Sequence, residues 1–385
     1  MRKILLLSLS IILFIGCQKD YTNQTEDLTT GKVTGTVLSK NGQQSIGGAL
    51  VFSFDDDHEL IYTRSDENGQ FVLQLPTGNR EIHIQTGDGS NFRTNFSVDI
   101  QKDVTLTIDG EQSKLNQVAN IAYVSGAFDV IEDLISNLGY NATQISFSDL
   151  ADYAIVSQYD IIFLNCGSRN VSLASLNNTI DVNLAQFVTN GGSLYASDWA
   201  LAYLMGGTSN VTGCNMSGGF IPDTMLCSAT SGNSGFYNGV QIVDPLLASS
   251  VGFSSFDLEY DLGGWQQIQM YDSNYWTCLV ELNSQALMLK TDSFYDSSLA
   301  TNPVGNDTND EWVTICHIPP GNQNNPITIT INQSALSAHL AHGDTLGSCD
   351  ANSNGGTIYY TTFHNHASGN IGNSEAILNY VILNL

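Results

Sequence analysis

The chain has 385 residues, 42% of them hydrophobic, which is ample for more than one packed core and excludes a disordered protein. Twelve basic residues stand against 38 acidic ones, a net charge of −26, and this excludes nucleic acid as a partner, because phosphate neutralisation requires a basic footprint. The charged fraction is only 13%, with many Asn, Ser, Thr and Gly, the composition of an extracellular surface.

Arg2 and Lys3 precede an apolar run from Ile4 to Ile15, about a dozen residues, too short to span a hydrocarbon core of ~30 Å. The run ends Phe14-Ile15-Gly16-Cys17. A small residue before a Cys at this point resembles the lipobox of bacterial lipoproteins, with Phe14 its imperfect match. The resemblance implies a signal peptide over 1–17, cleavage before Cys17 and lipidation of that Cys, hence a membrane partner through the lipid. An ordinary secretory signal with an incidental Cys17 is the bland alternative. Gln18-Lys19-Asp20 resembles the Lys-acidic export signals of Bacteroidetes-type surface lipoproteins, which implies the cell envelope: an outer-membrane, surface-exposed location. Residues 18–30 are polar and aperiodic, the composition of a tether.

From 31 to 110 the pattern is short alternating runs (KVTGTVLS, ALVFSFD, LIYTRSD, FVLQLP, EIHIQTG, NFSVDI, VTLTID) separated by Gly-containing turns. This predicts an all-β sandwich of about seven strands. Gly35-x-Val37, Ile46-Gly47-Gly48-Ala49-x-Val51, Thr63-x-x-Asp66-Glu67-Asn68-Gly69-x-Phe71 and Leu75-Pro76-x-Gly78 resemble the carboxypeptidase regulatory-like domain. The resemblance implies a structural or interaction module. Asp66-Glu67-Asn68-Gly69 fits a tight turn better than a calcium loop. Glu111 to Gln117 reads as a polar linker.

An α/β domain is expected over 119–385. Ile121–Gly126 is a buried strand, Phe128–Leu138 an amphipathic helix closed by Gly139, and Thr143–Phe147 a second strand. Tyr159–Leu164 is a third strand, Asp181–Thr189 a helix and Ser193–Ser197 a fourth strand, separated by short Gly-containing turns: a βαβ unit of a parallel sheet. Ligands of such sheets sit beyond the carboxyl ends of the strands. Here those ends carry Asn165, Cys166, Gly167, Ser168, Ser197, Asp198 and Trp199, with His364 and His366 after the last strand, GTIYYTTF (356–363). Strands near Gly239–Val243, Trp276–Leu282 and Ala286–Lys290 read as the antiparallel side of the sheet, and Ser374–Leu383 as a terminal helix.

This order resembles the class I glutamine amidotransferase-like, flavodoxin-like fold, nearest its trehalose-utilisation (ThuA-like) branch. That family places a nucleophilic Cys on the turn after the fourth strand, with a His and a Glu after the last. Here the turn is Ala196-Ser197-Asp198 and the last strand ends Phe363-His364-Asn365-His366. The nucleophile and the Glu are absent, so glutamine hydrolysis is not expected. Ser197 or Asp198 with His364 are the candidates for another hydrolase. The favoured reading is a non-catalytic binding protein for a glycan, a peptide or another envelope protein.

Residues 302–354 form an insert. Cys316-His317-Ile318-Pro319-Pro320-Gly321-Asn322, His339-Leu340-Ala341-His342-Gly343-Asp344 and Cys349 resemble a small CHIPPGN…HLAHGD…C module of secreted bacterial proteins. His339 and His342 are spaced i, i+3 on a short helix. With His317 and Asp344 they can ligate zinc or another divalent metal, while Cys316 and Cys349 can staple the ends. Proximity also favours Cys214–Cys227, each loop worth roughly 3–4 kcal/mol, leaving Cys166 and Cys278 to pair or stay free. Asp55–Asp57 and Asp307–Glu311 read as solvated turns.

Overall fold

The computed structural model describes residues 29–301, 311–319, 326–349, 355–366 and 373–385. The leader, Cys17, most of the tether, the Pro320-Gly321-Asn322 end of the first module motif and Asp307–Asp310 lie outside the described residues. The described chain is mostly β-sheet, in four sheets with seven α-helices.

Two sheets are built by the first 90 described residues or so, a three-stranded one (Thr30–Thr36 between Gln70–Pro76 and Thr105–Thr107) and a five-stranded one. The latter runs Leu60–Arg64, Leu50–Phe54, Gly78–Thr86, Phe92–Ile100, Asn116–Gln117. Alternation does the work of joining them: Phe71, Leu73 and Leu75 point inward from one sheet to meet Val51, Ile82 and Ile84 of the other. Both acidic segments in this region are turns. Asp66 Oδ1 accepts from the amides of Asn68 (2.9 Å) and Gln70 (2.8 Å), with Gly69 at φ +73°. Asp55 Oδ1 does the same for Asp57 and Glu59, both at 2.9 Å.

The segment expected as a polar linker is built into the fold instead. Asn116–Gln117 pairs with Phe92 and Arg93, and Leu115 is fully buried. The cause is Leu115 itself, one apolar side chain in a polar stretch, whose carbonyl accepts from the Tyr140 hydroxyl at 3.3 Å. Through Leu115, Phe92 and Tyr140 the hydrophobic core runs on into the following sheet.

That sheet has eleven strands. Five run parallel in the spatial order Ala142–Ile145, Ile121–Val124, Ile161–Leu164, Ser193–Ser197, Ile358–Thr361. Antiparallel strands continue from the last of these: Gln285–Thr291, Thr277–Leu282, Gly235–Ile242 and Ser255–Tyr260. Ile161–Leu164 and Ser193–Ser197 are buried at every position, as continuous apolar runs covered on both faces must be. The first helix is Ile131–Asn137, three residues shorter at its start than its periodicity predicts. Residues 129 and 130 are held instead by loops from other strands: Asn165 Nδ2 donates to the Asp129 carbonyl (3.2 Å) and Val130 N to the Asn365 carbonyl (2.9 Å). The helix Asn177–Thr189 buries Ile180, Leu184, Phe187 and Val188.

Trp312–His317, Ile327–Asn332 and Thr345–Leu346 make a separate three-stranded sheet, with the helix Leu336–Ala341 beside it. Although its neighbours in sequence belong to the eleven-stranded sheet, its apolar face lies on the outer face of the five-stranded sheet. Ile315, Ile329 and Ile331 pack there against Leu50 and Phe52. Gln85 completes the seam: its Oε1 accepts from Thr330 N (3.1 Å) and its Nε2 donates to the Thr328 carbonyl (3.2 Å). Cys214–Cys227 and Cys316–Cys349 are disulfides; Cys166 and Cys278 are both free.

Candidate functional site

The carboxyl ends of the parallel strands bring five sequence-predicted side chains together. Asn165 and Cys166 follow one strand, Ser197 and Asp198 the next, and His364 the last. Donor atoms of Cys166, Asp198 and His364 all lie within 4.8 Å of one another. Cys166 Sγ is 3.4 Å from Asp198 Oδ2, and the other Asp198 oxygen accepts from Gln266 N at 2.7 Å. Asp198 sits at φ +45°, in the left-handed region that an L-residue enters only when its surroundings hold it there. The close approach of the first strand-end loop depends on Gly126, where a Cβ would come 2.1 Å from the Cys166 carbonyl oxygen.

Sequence reasoning missed Asp129. Its carboxylate accepts from Ser197 Oγ, and Ser197 Oγ in turn accepts from Cys166 N at 2.9 Å. Ser197 is therefore committed to Asp129 and is not hydrogen-bonded to His364. Nothing local in the sequence separates Asp129 from its neighbours Glu132 and Asp133; only the tertiary fold buries it.

The electrostatics follow from burial. Cys166 is 1% exposed, Asp198 5% and His364 8%. Burial lifts the Asp198 carboxyl to about 7, against the pull of the Gln266 amide, and lifts Asp129 to about 7, against the Ser197 hydrogen bond. Burial, with Asp198 alongside, also pushes the Cys166 thiol far up, which disfavours its thiolate. Burial and His366 push His364 down to about 3. Among the described residues, neither ring nitrogen of His364 has a hydrogen-bond partner. His366 stacks on it at 4.4 Å and reaches to 3.6 Å of Asp261. Trp199 is half-buried, its Nε1 donating to the Gly264 carbonyl (2.9 Å) and its ring edge-on to Phe128. Gly167, at φ +80°, turns the chain so that Ser168 Oγ reaches the Tyr203 hydroxyl at 3.3 Å. Next to it lies an ion pair that the sequence did not reveal: buried Arg169 grips Asp181 at 3.0 and 3.2 Å and the Ala202 carbonyl at 2.8 Å.

In the insert, His317, His339 and Asp344 converge and are buried. Both Nδ1 atoms lie 2.9 Å from the same Asp344 Oδ2, and Oδ1 accepts from Ile318 N at 2.9 Å. Burial opposes ionisation of Asp344, but the Ile318 amide and the two imidazoles outweigh it and hold the carboxyl below its usual range. His342 does not join. The helix ends at Ala341, so His342 is its C-cap, exposed and stacked toward His58 at 6.2 Å. The His342 backbone is still helical (φ −84°, ψ −6°), but the His339 ring turns inward to Asp344 while the His342 ring stays at the surface.

A cleft of about 950 Å³ opens at the other end of the parallel strands. It lies between their amino ends (Asn120, Asp160, Ser193), the five-stranded sheet (Asp88, Asn91, Arg93) and the insert (Trp312, Thr328, Thr330). Arg64, Arg93 and Lys290, three of the chain's twelve basic residues, also line it. The Arg93 guanidinium lies 5.0 Å over the Trp312 ring.

No protein-family model and no curated protein matches the chain. Among solved structures, the Bacillus anthracis TIE protein overlaps 26% of this chain and 21% of its own, at 13% identity and a TM-score of 0.19. A Bacteroides uniformis protein assigned to carbohydrate binding overlaps 26% of this chain and 46% of its own, at 10% identity and a TM-score of 0.18. The chain thus spans less than half the length of either, and overlaps of this size carry no argument about chemistry.

Proposed function

We propose that this is an exported, lipid-anchored envelope protein that binds a glycan in the cleft beside Trp312 and is not an enzyme. In this reading residues 1–17 are the signal peptide, Cys17 carries the lipid, and 18–30 tether the protein to the outer membrane. Residues 31–110 are a carboxypeptidase regulatory-like sandwich, 119–385 a degenerate amidotransferase-like domain, and 302–354 its insert.

The cleft carries the reading. It is an open concavity lined by polar side chains, whereas Cys166, Ser197, Asp198 and His364 are at most 8% exposed, out of reach of a sugar ring or peptide. Its walls combine an indole, amides, hydroxyls, carboxylates and guanidinium groups, the donors and acceptors that recognise a polyol. The test is calorimetry of the full chain in detergent against neutral and uronate-containing oligosaccharides. Trp312→Ala should weaken binding by roughly tenfold or more, equivalent to about 1.4 kcal/mol. Absence of binding across the panel, or a Trp312→Ala protein that binds as well as the parent, overturns the reading.

A further inference from the structure

We infer that Cys166, Asp198 and His364 form a transition-metal site, with zinc the ion that suits them. Three different strand ends deliver one sulfur, one oxygen and one nitrogen donor, all mutually within 4.8 Å and all buried. A mixed thiolate, carboxylate and imidazole set is a borderline-soft site that favours zinc over calcium or magnesium, which take oxygen ligands.

The second observation is the imidazole of His364. Both its nitrogens are buried without a hydrogen-bond partner among the described residues. A neutral imidazole carries one donor and one acceptor, and each left unmet in the interior costs about 1–3 kcal/mol. Buried polar groups are satisfied in native proteins by protein, water or an ion. A metal bound between His364, the Cys166 sulfur and Asp198 Oδ2 supplies the missing partner. Asp198 is already set for this, since its Oδ1 is fixed by Gln266 N while Oδ2 faces the sulfur. Binding displaces the Cys166 thiol proton to solvent and balances two anionic ligands against the dication. Three protein ligands leave a fourth position for water.

The His317–His339–Asp344 cluster is the competing site. Both Nδ1 atoms there already contact Asp344 Oδ2 and Oδ1 accepts from Ile318 N, while one ring nitrogen, His317 Nε2, is buried without a hydrogen-bond partner among the described residues. The strand ends differ in offering an imidazole with both nitrogens unmet and a sulfur donor, and it is there that we place the metal.

The experiment uses the full chain under non-reducing conditions, stripped with a chelator and reloaded with zinc or cobalt. Elemental mass spectrometry should find one equivalent of zinc. The cobalt form of Cys17→Ser/Cys278→Ser should show a thiolate-to-cobalt charge-transfer band in the near ultraviolet. With Cys17 and Cys278 replaced and the four disulfide cysteines bonded, Cys166 is the one remaining free thiol of the sequence. Asp198→Asn and His364→Gln should weaken metal binding by more than about 100-fold, since even groups that only support a ligand are worth 10–100-fold. His339→Ala should retain the metal. A stripped chain that takes up no metal, a cobalt form without the thiolate band, or metal lost in His339→Ala and kept in His364→Gln overturns the assignment. The Cys17→Ser/Cys278→Ser spectrum decides the matter even if the Asp198 and His364 variants fail to fold.

Discussion

Replacing His83 with Gln should abolish a large part of the acid sensitivity of the fold. His83 lies on the five-stranded sheet under the insert, 7% exposed, stacked on Phe52 at 4.8 Å and edge-on to Trp312 at 6.0 Å. The charged groups facing it are Glu81, 3.7 Å away on its own strand, and His339 from the insert. Burial dominates and takes its imidazole down from 6.5 to about 4; Glu81 opposes this and His339 adds to it. In the unfolded chain His83 takes up its proton as the pH falls through 6.5, while in the folded protein it stays neutral until about 4. Stability is therefore complete above pH 6.5 and drains away between 6.5 and 4. At 1.36 kcal/mol per pH unit, the loss is about 3 kcal/mol, a large fraction of what holds most domains together. The assay is urea unfolding of parent and His83→Gln at pH 7 and pH 4. The variant loses some stacking energy at pH 7, but the difference between its two pH values should be smaller than the parent's by about 3 kcal/mol. Parallel pH profiles for the two proteins would refute the reasoning, because they would mean that the imidazole is already hydrated in the native state.

Three further changes probe the remaining framework. Arg169→Met strands the Asp181 carboxylate, whose other partner is Gly219 N at 2.7 Å, and should cost about 3–5 kcal/mol in chemical denaturation; a loss below 1 kcal/mol would show the pair to be hydrated. Replacing Cys316 and Cys349 together by Ser releases a loop of 33 residues' separation and should cost about 3–4 kcal/mol, read as a lower urea midpoint in the oxidised state alone. Gln85→Ala leaves Thr330 N without its acceptor and should cost about 1–3 kcal/mol. Its signature is faster amide exchange confined to the insert strands, and unchanged protection there would count against the seam.

Legibility from sequence followed contact distance along the chain. The buried strands Ile161–Leu164 and Ser193–Ser197 announce themselves as short apolar runs, and Cys214 pairs with Cys227 thirteen residues away. Strand ends are equally local, which is why Cys166, Asp198 and His364 could be named together before their distances were known. Contacts made by polar residues across long separations leave no such mark. Gln85 meets Thr330 across 245 residues, and neither residue type signals burial. Arg169, Asp181 and Asp129 carry charges that pattern reasoning assigns to the surface, and it is pairing or enclosure in the folded state that overrides this. Helical spacing places His342 one turn from His339 but does not say which ring is buried, and it is the His339 ring that turns in to Asp344 while His342 stays exposed.

The seating of the insert also sets a timetable for the newborn chain. Leu50 and Phe52 emerge early from the ribosome, yet the Ile315, Ile329 and Ile331 that cover them are made more than 260 residues later. Until then the first sheets, however well formed, display an uncapped greasy face, the kind of surface through which nascent chains stick to one another. Leu385, whose carbonyl accepts from Asn91 Nδ2 at 2.9 Å, must likewise travel back to the turn that follows Gly78–Thr86, 294 residues earlier. A chain truncated before residue 312 would be expected to need a holdase throughout its life, and to be cleared as an orphan rather than persist as a smaller working protein.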